Sequence, residues 1–183
     1  ALAGIRKLEG TLDDAVFQQA ANAGARPVIP AELSLRLGKP LDRILQAAER
    51  LAISGMFRKI PEAKADRFLT ADTFTRLVGK AAEAAGKFFA ANPQKPAMTP
   101  AEFQAALPTE AGDAAARAVL EELVQTNRLV RVPTGITLPG HEARFADREQ
   151  ALADKVEMAY RRAGFEPPLE DDVCRTLNLP LNQ

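Results

Sequence analysis

His141 and Cys174 are the one histidine and the one cysteine among 183 residues, so hydrolytic, metal or thiol chemistry would have to be built around them. His141 stands in "LPGHEARF" with Glu142 beside it. That adjacency lacks the spacing of a helical metal site, in which two ligands fall four residues apart. The reading is an exposed linker histidine. Cys174 lies among apolar residues and reads as a small core side chain; a lone cysteine forms neither an internal disulfide nor a thiolate cage. The nearest approach to a phosphate loop is "GKAAEAAGKF", but Gly79 to Gly86 is too long a span and Phe88 stands where a magnesium-binding Ser or Thr belongs. The run also sits inside a helical period, where the two glycines are expected to permit close helix packing. Carboxylate runs at Asp13–Asp14, Glu121–Glu122 and Glu170–Asp172 read as solvated helix starts and faces rather than acid–base pairs. No catalytic residue, metal ligand or cofactor is expected in this chain, and it is not read as an enzyme.

The second kind of chemistry open to these side chains is phosphate recognition. Lys39, Arg43, Gln46 and Arg50 recur along "KPLDRILQAAER", with Arg58, Lys59, Lys64 and Arg67 following, and form a weak basic patch. The competing reading is a solvated face balanced by Asp42 and Glu49. Further on, Asp113, Arg117, Glu121 and Glu122 make a net acidic face that would repel phosphates. Arg128 and Arg131, in "RLVRV", could touch a nucleic-acid backbone or equally serve as a charged strand edge. The chain carries 24 basic and 24 acidic side chains, whereas a phosphate clamp shows a basic excess.

Three successive sets of elements would position these residues. In the first, "TLDDAVFQQAANA" opens with Thr11 and Asp14 in capping-box spacing and places Leu12, Ala15, Val16 and Ala20 on one stripe. Pro30 starts a short second helix that Gly38 ends. The third carries Leu41, Ile44, Leu45, Ala48, Leu51 and Ala52 at helical spacing, with Gly55 as the stop. "MFRKI" and "RFLT" then read as a hairpin with a loose loop. The second set repeats the order: a helix from Asp72 with Phe74, Leu77, Val78, Ala81, Ala85 and Phe88 inward, the short "TPAEFQAAL", a helix burying Ala116, Val119, Leu120, Leu123 and Val124, and a hairpin of "LVRVP" and "GITLP". A third set starts at Asp147 with Leu152, Val156, Ala159, Tyr160 and Ala163 on its apolar face. "PPLEDDVCRTLNLP" supplies its short second helix, and a third helix and hairpin are missing, so that face is expected to be partly exposed or poorly ordered.

The repeat is written in the prolines. Pro30, Pro100 and Pro168 fall 70 and 68 residues apart, each with a glutamate two places on, at Glu32, Glu102 and Glu170. Proline at the first helical position lacks only an amide hydrogen that had no helical partner. A Thr before it and a Glu after it, as in Thr99 and Glu102, can cap reciprocally. Three helices followed by a hairpin, with the second and third joined by a short turn, is a helix-turn-helix extended by a wing. The fold class is therefore mainly α with small β-hairpins, as tandem winged-helix domains: unit 1 over 1–70, unit 2 over 71–140, and a linker with an incomplete unit 3 over 141–183. A helical solenoid is the rival, but its repeats run about 20 to 45 residues and rarely close in a hairpin.

No apolar run approaches the ~20 residues of a membrane span, and the lone cysteine fits a reducing compartment. A cytoplasmic, monomeric protein without membrane contact is expected. With Ala1 at one end and "NLPLNQ" at the other, the chain reads as a fragment of something longer.

The succession "RLVRVPTGITLPGHEARFADREQALADKVEMAYRRAGFEPPLEDDVCRTLNL" resembles the C-terminal extension of bacterial selenocysteine-specific elongation factors, the SelB family. There a strand of the "ITLPGH" type, a linker, a helix rich in Glu, Gln and Lys, and a "GF-x-PP" segment follow one another. "RLAISGMFRKI" is similar to the first unit of that extension. The likeness runs over nearly the whole chain in order and spacing, and "ITLPGHEARF" is its strongest motif. The resemblance implies a complete protein with an N-terminal part that binds GTP, Mg and selenocysteinyl-tRNA, then four winged helices, the last gripping the mRNA hairpin that recodes UGA on the ribosome. It implies that this chain is the connecting arm, with "PGHEARFAD" as its hinge. No GTP-binding loop and no fourth unit are present to carry the family's site residues over. Two other readings remain: a winged-helix DNA-binding regulator resting on Arg43 and Arg50, and a protein-binding scaffold.

Overall fold

A computed structural model describes residues 10–143, 154–161, Asp172 and Arg175. Helix α1 (Leu12–Asn22) begins in the expected capping box: the Thr11 amide donates to Asp14 Oδ2 at 2.9 Å, and the Asp14 amide donates to Thr11 Oγ1 at 3.3 Å. Helix α2 (Pro30–Leu37) starts on its proline, but Ile29 has no side-chain acceptor to cap it, and Glu32 accepts from Arg26 at 2.9 Å instead. Gly38 ends α2 at φ 60°, a left-handed conformation that costs a glycine little. The turn is then tied twice, by the Lys39 amide to the Ser34 carbonyl and by Ser34 Oγ to the Lys39 carbonyl at 2.6 Å.

Helix α3 (Leu41–Ile53) turns Ile44, Ala47, Ala48 and Leu51 inward. Leu41 and Leu45, expected on that stripe, lie 44% and 39% exposed. Ala47 takes the inner place because the buried arc is centred on the Ile44–Leu51 side. With Val16, Ala20, Val28, Leu33, Phe57 and Phe68, these residues make one core, and the Phe57 ring stands 6.0 Å from both Phe17 and Phe68.

Strands β1 (Phe57–Ile60) and β2 (Arg67–Thr70) pair antiparallel from Phe57↔Thr70 to Ile60↔Arg67. The hairpin has a third element that the sequence reading missed. The Val28 amide and carbonyl both bond Phe68, at 2.9 and 3.0 Å. Met98 does the same with Ile136 at 2.8 and 2.9 Å, so in both sets a strand residue stands two places before the proline that starts the helix.

Helix α4 (Ala71–Ala91) follows β2 without a loop. Thr70 Oγ1 accepts from the Thr73 amide at 3.3 Å and so caps it. Its inward stripe is Phe74, Leu77, Ala81, Ala85 and Phe89, with Val78 and Phe88 half-buried at its edge. Gly79 and Gly86 do not mediate packing: a Cβ at either would meet nothing within 4 Å. Helix α5 (Pro100–Ala105) carries the full capping box, the Thr99 amide to Glu102 Oε2 at 2.8 Å and the Glu102 amide to Thr99 Oγ1 at 3.2 Å. A 3-10 turn (Thr109–Ala111), helix α6 (Gly112–Gln125) and strands β3 (Val130–Val132) and β4 (Gly135–Thr137) complete the second set.

The first hairpin serves two cores. Phe57 and Phe68 belong to the first, whereas Ile60 and Leu69 pack with Phe74, Leu77, Phe103, Val119, Leu123 and Ile136 in the second. Strand β2 therefore has both faces covered, and Phe68, Leu69 and Thr70 are consecutively buried. Ala1–Ala91 and Ala97–His141 make one compact unit; Asn92–Pro96 and Glu142–Gln183 make another. In the latter a helix covers 154–161, with Val156 and Ala159 half-buried and Tyr160 39% exposed. Leu152, Ala163, Cys174 and most of "PPLEDDVCRTLNLP" lie outside the described residues.

Candidate nucleic-acid interface

The basic side chains singled out above divide into those held by carboxylates and those left open. Arg50 reaches from α3 to Asp13 on α1 through two bonds, Nη2 to Oδ1 at 2.6 Å and Nε to Oδ2 at 3.0 Å. That hydrogen-bonded carboxylate raises the guanidinium pKa further. Lys59 Nζ donates to Glu49 at 2.6 Å and lies 2.9 Å from Asp66, and the two carboxylates push its pKa up to about 12. Arg58 donates to Glu122 at 2.9 Å while its guanidinium carbon sits 4.9 Å from the centre of the Phe74 ring. Arg131 pairs with Glu121. Lys39, Arg43 and Arg128 are exposed and have no ion pair with any described residue. Gln46 and Lys64 are exposed too, and Arg67 is half-buried with its Nε lacking a hydrogen-bond partner.

A helix that reads a major groove must present free donors. Helix α6 does not. Arg117 is bonded to Glu62 in the β1–β2 loop, Glu122 accepts from Arg58 on β1, Glu121 accepts from Arg131, and Asp113 accepts from Gln104. The first hairpin thus occupies part of the surface of the second groove-type helix, with Arg117 and Glu122 as its pairing partners, while Glu121 and Asp113 are held by Arg131 and Gln104 of the second set. The hint available in the sequence was complementarity: Arg58 lies on β1 with Glu62 just beyond it, and Arg117 and Glu122 lie on one helix. Separations of 64 and 55 residues kept that match out of any local pattern.

His141 also differs from the exposed linker residue expected. It is half-buried, its ring centre lies 4.4 Å from that of Phe89, and its amide closes a turn onto the Leu138 carbonyl at 3.1 Å. Among the described residues there is no cluster of three His, Cys, Asp or Glu side chains fit for a metal ion, and no helix is long and apolar enough to cross a membrane.

Helix-turn-helix units each closed by a hairpin, repeated in one chain, define a tandem winged-helix protein of mainly α composition. No family model and no curated protein matches the chain. Among solved structures it is similar to the mRNA-binding domain of elongation factor SelB from E. coli, determined in complex with SECIS RNA. The identity is 17% and the TM-score 0.47, over 69% of this chain and 95% of that one.

Proposed function

We propose that this chain is the winged-helix arm of a selenocysteine-specific translation elongation factor. It would connect a part that binds GTP, Mg and selenocysteinyl-tRNA to a tip that holds the mRNA hairpin for UGA recoding on the ribosome. The sequence succession from "RLVRV" to "TLNL" motivates the assignment. The observation that carries the mechanical half of it is the first hairpin, whose β2 strand is buried on both faces between two cores. A winged helix used independently needs its groove helix free and its wing in solvent; here the wing of the first unit and the groove helix of the second are spent on holding the two units together. Such a joint suits a spacer, and fold alone would not have distinguished the two uses.

The DNA-regulator reading rests on Arg43 and Arg50, and the bidentate bond from Arg50 to Asp13 removes half of that support. The deciding experiment compares this chain with a version extended through two further winged helices for binding to a UGA-containing recoding hairpin. Measurements at about 50 and 200 mM salt separate specific recognition from counterion release. Tight binding by the extended protein alone is expected. Binding by neither, with this chain retained on duplex DNA, overturns the assignment.

A further inference from the structure

Arg36, Lys39 and Arg43 are successive basic residues of the chain and lie on one helix–turn–helix: the last turn of α2, the connection, and the first turn of α3. All three are exposed, and none is paired with a carboxylate among the described residues. On either side of this stretch the pattern is the reverse: Arg26, Arg50, Arg58 and Lys59 each hold an acidic partner. One acidic residue, Asp42, falls within the stretch. The backbone that carries the cations is fixed by the two Ser34–Lys39 bonds. Helix α3 starts beside them with no side-chain cap, and the Arg43 and Ile44 amides both bond the Pro40 carbonyl, at 3.1 and 3.2 Å.

We infer that Arg36, Lys39 and Arg43 form a sequence-independent contact for the phosphate backbone of double-helical RNA, an electrostatic foot on the first winged helix. Contacts from exposed cations to phosphates position a duplex and do not by themselves specify its sequence. The rival occupant is an acidic protein segment seated on the exposed Leu41 and Leu45. Those leucines share one edge of α3, whereas Arg43 lies about 160° around the helix from Leu45, so one such segment would not engage both. The choice of RNA over DNA rests on the elongation-factor reading; the phosphate contact itself does not.

The test is fluorescence anisotropy of the full 183-residue chain with labelled RNA and DNA duplexes of about 20 base pairs, titrated over salt. With three phosphates neutralised, affinity for RNA should fall about tenfold between roughly 100 and 250 mM salt. Arg36→Glu/Lys39→Glu/Arg43→Glu should lose at least about tenfold at the lower salt. Melting of that variant should be unchanged, since its side chains have no partners to lose. Lys80→Glu reverses an exposed charge outside that basic patch and should leave binding within about twofold, as a site-specific contact requires. Equal affinity of the triple variant, or no duplex binding even at low salt, overturns the contact; tighter binding to DNA than to RNA overturns the RNA assignment. Absence of duplex binding by the unaltered chain, with hairpin recognition intact in the extended protein, would remove this contact alone. The converse result would remove the arm reading alone.

Discussion

Lys59 is the residue whose ionisation the fold alters most visibly. Its ammonium is held by both Glu49 and Asp66, and its pKa rises from 10.5 to about 12. A raised pKa means that the folded state binds the proton more tightly than the unfolded state. The stabilisation is therefore complete below pH 10.5 and disappears as pH rises through about 12. Urea unfolding of the wild type and of Lys59→Gln should show a constant stability difference at neutral and mildly alkaline pH, shrinking above pH 10.5; a difference that vanished on acidification to neutrality would contradict the assignment. Three glycines separate by surroundings. At Gly135, with φ 146°, a Cβ would overlap the Met98 carbonyl oxygen, so Gly135→Ala should cost about 2 kcal/mol or more. Gly79→Ala and Gly86→Ala put a methyl into open space on α4 and should each stabilise by about 0.5–1 kcal/mol. Thermal melts in which all three changes moved the same way would refute this division. The sequence marked Gly79 and Gly86 as special and said nothing of Gly135, because the helical period shows a glycine's position but not the neighbour across the core.

Among the elements, β1–β2 bears the most consequence. Leu69 is 1% exposed and faces the second core although it belongs to the first hairpin. Leu69→Ala should cost about 2–5 kcal/mol, and exchange protection should fall on α4 and α6 as well as on the hairpin. Loss confined to residues 57–70 would show that the second core does not depend on this strand. Helix starts were plain in the sequence wherever a polar side chain fixes them locally: Thr11 with Asp14, Thr99 with Glu102, and the prolines at 30 and 100. The inner face of α3 was read less well, since Leu41 and Leu45 satisfy the helical period equally and only tertiary packing selects the Ala47 side. Val28 and Met98 escaped because a strand of one bridging residue has no period to detect.

For the molecule as a whole, fusion of the first two winged helices changes what their charges can do. Arg58, Arg117, Glu62 and Glu122 would read as surface charges on either unit alone, yet across the joint they pair. Each exposed pair contributes only about 0.2–1 kcal/mol. Their effect is to fix orientation over an apolar contact that supplies most of the stability. The candidate site was legible in outline, as basic residues near the first turn and hairpin, but which of them stay open was not: that depends on Asp13, Glu49, Asp66, Glu121 and Glu122 arriving from other elements. The spacer role proposed for the first two units requires this joint to be rigid, and the most direct test is a distance distribution across it. Spin labels at Ala31 and Thr134, both exposed, in a Cys174→Ser background should give one narrow distance by pulsed electron resonance. Arg58→Glu/Arg117→Glu should broaden it. A broad or two-peaked distribution in the otherwise unaltered chain would show the units moving independently and would contradict the spacer account.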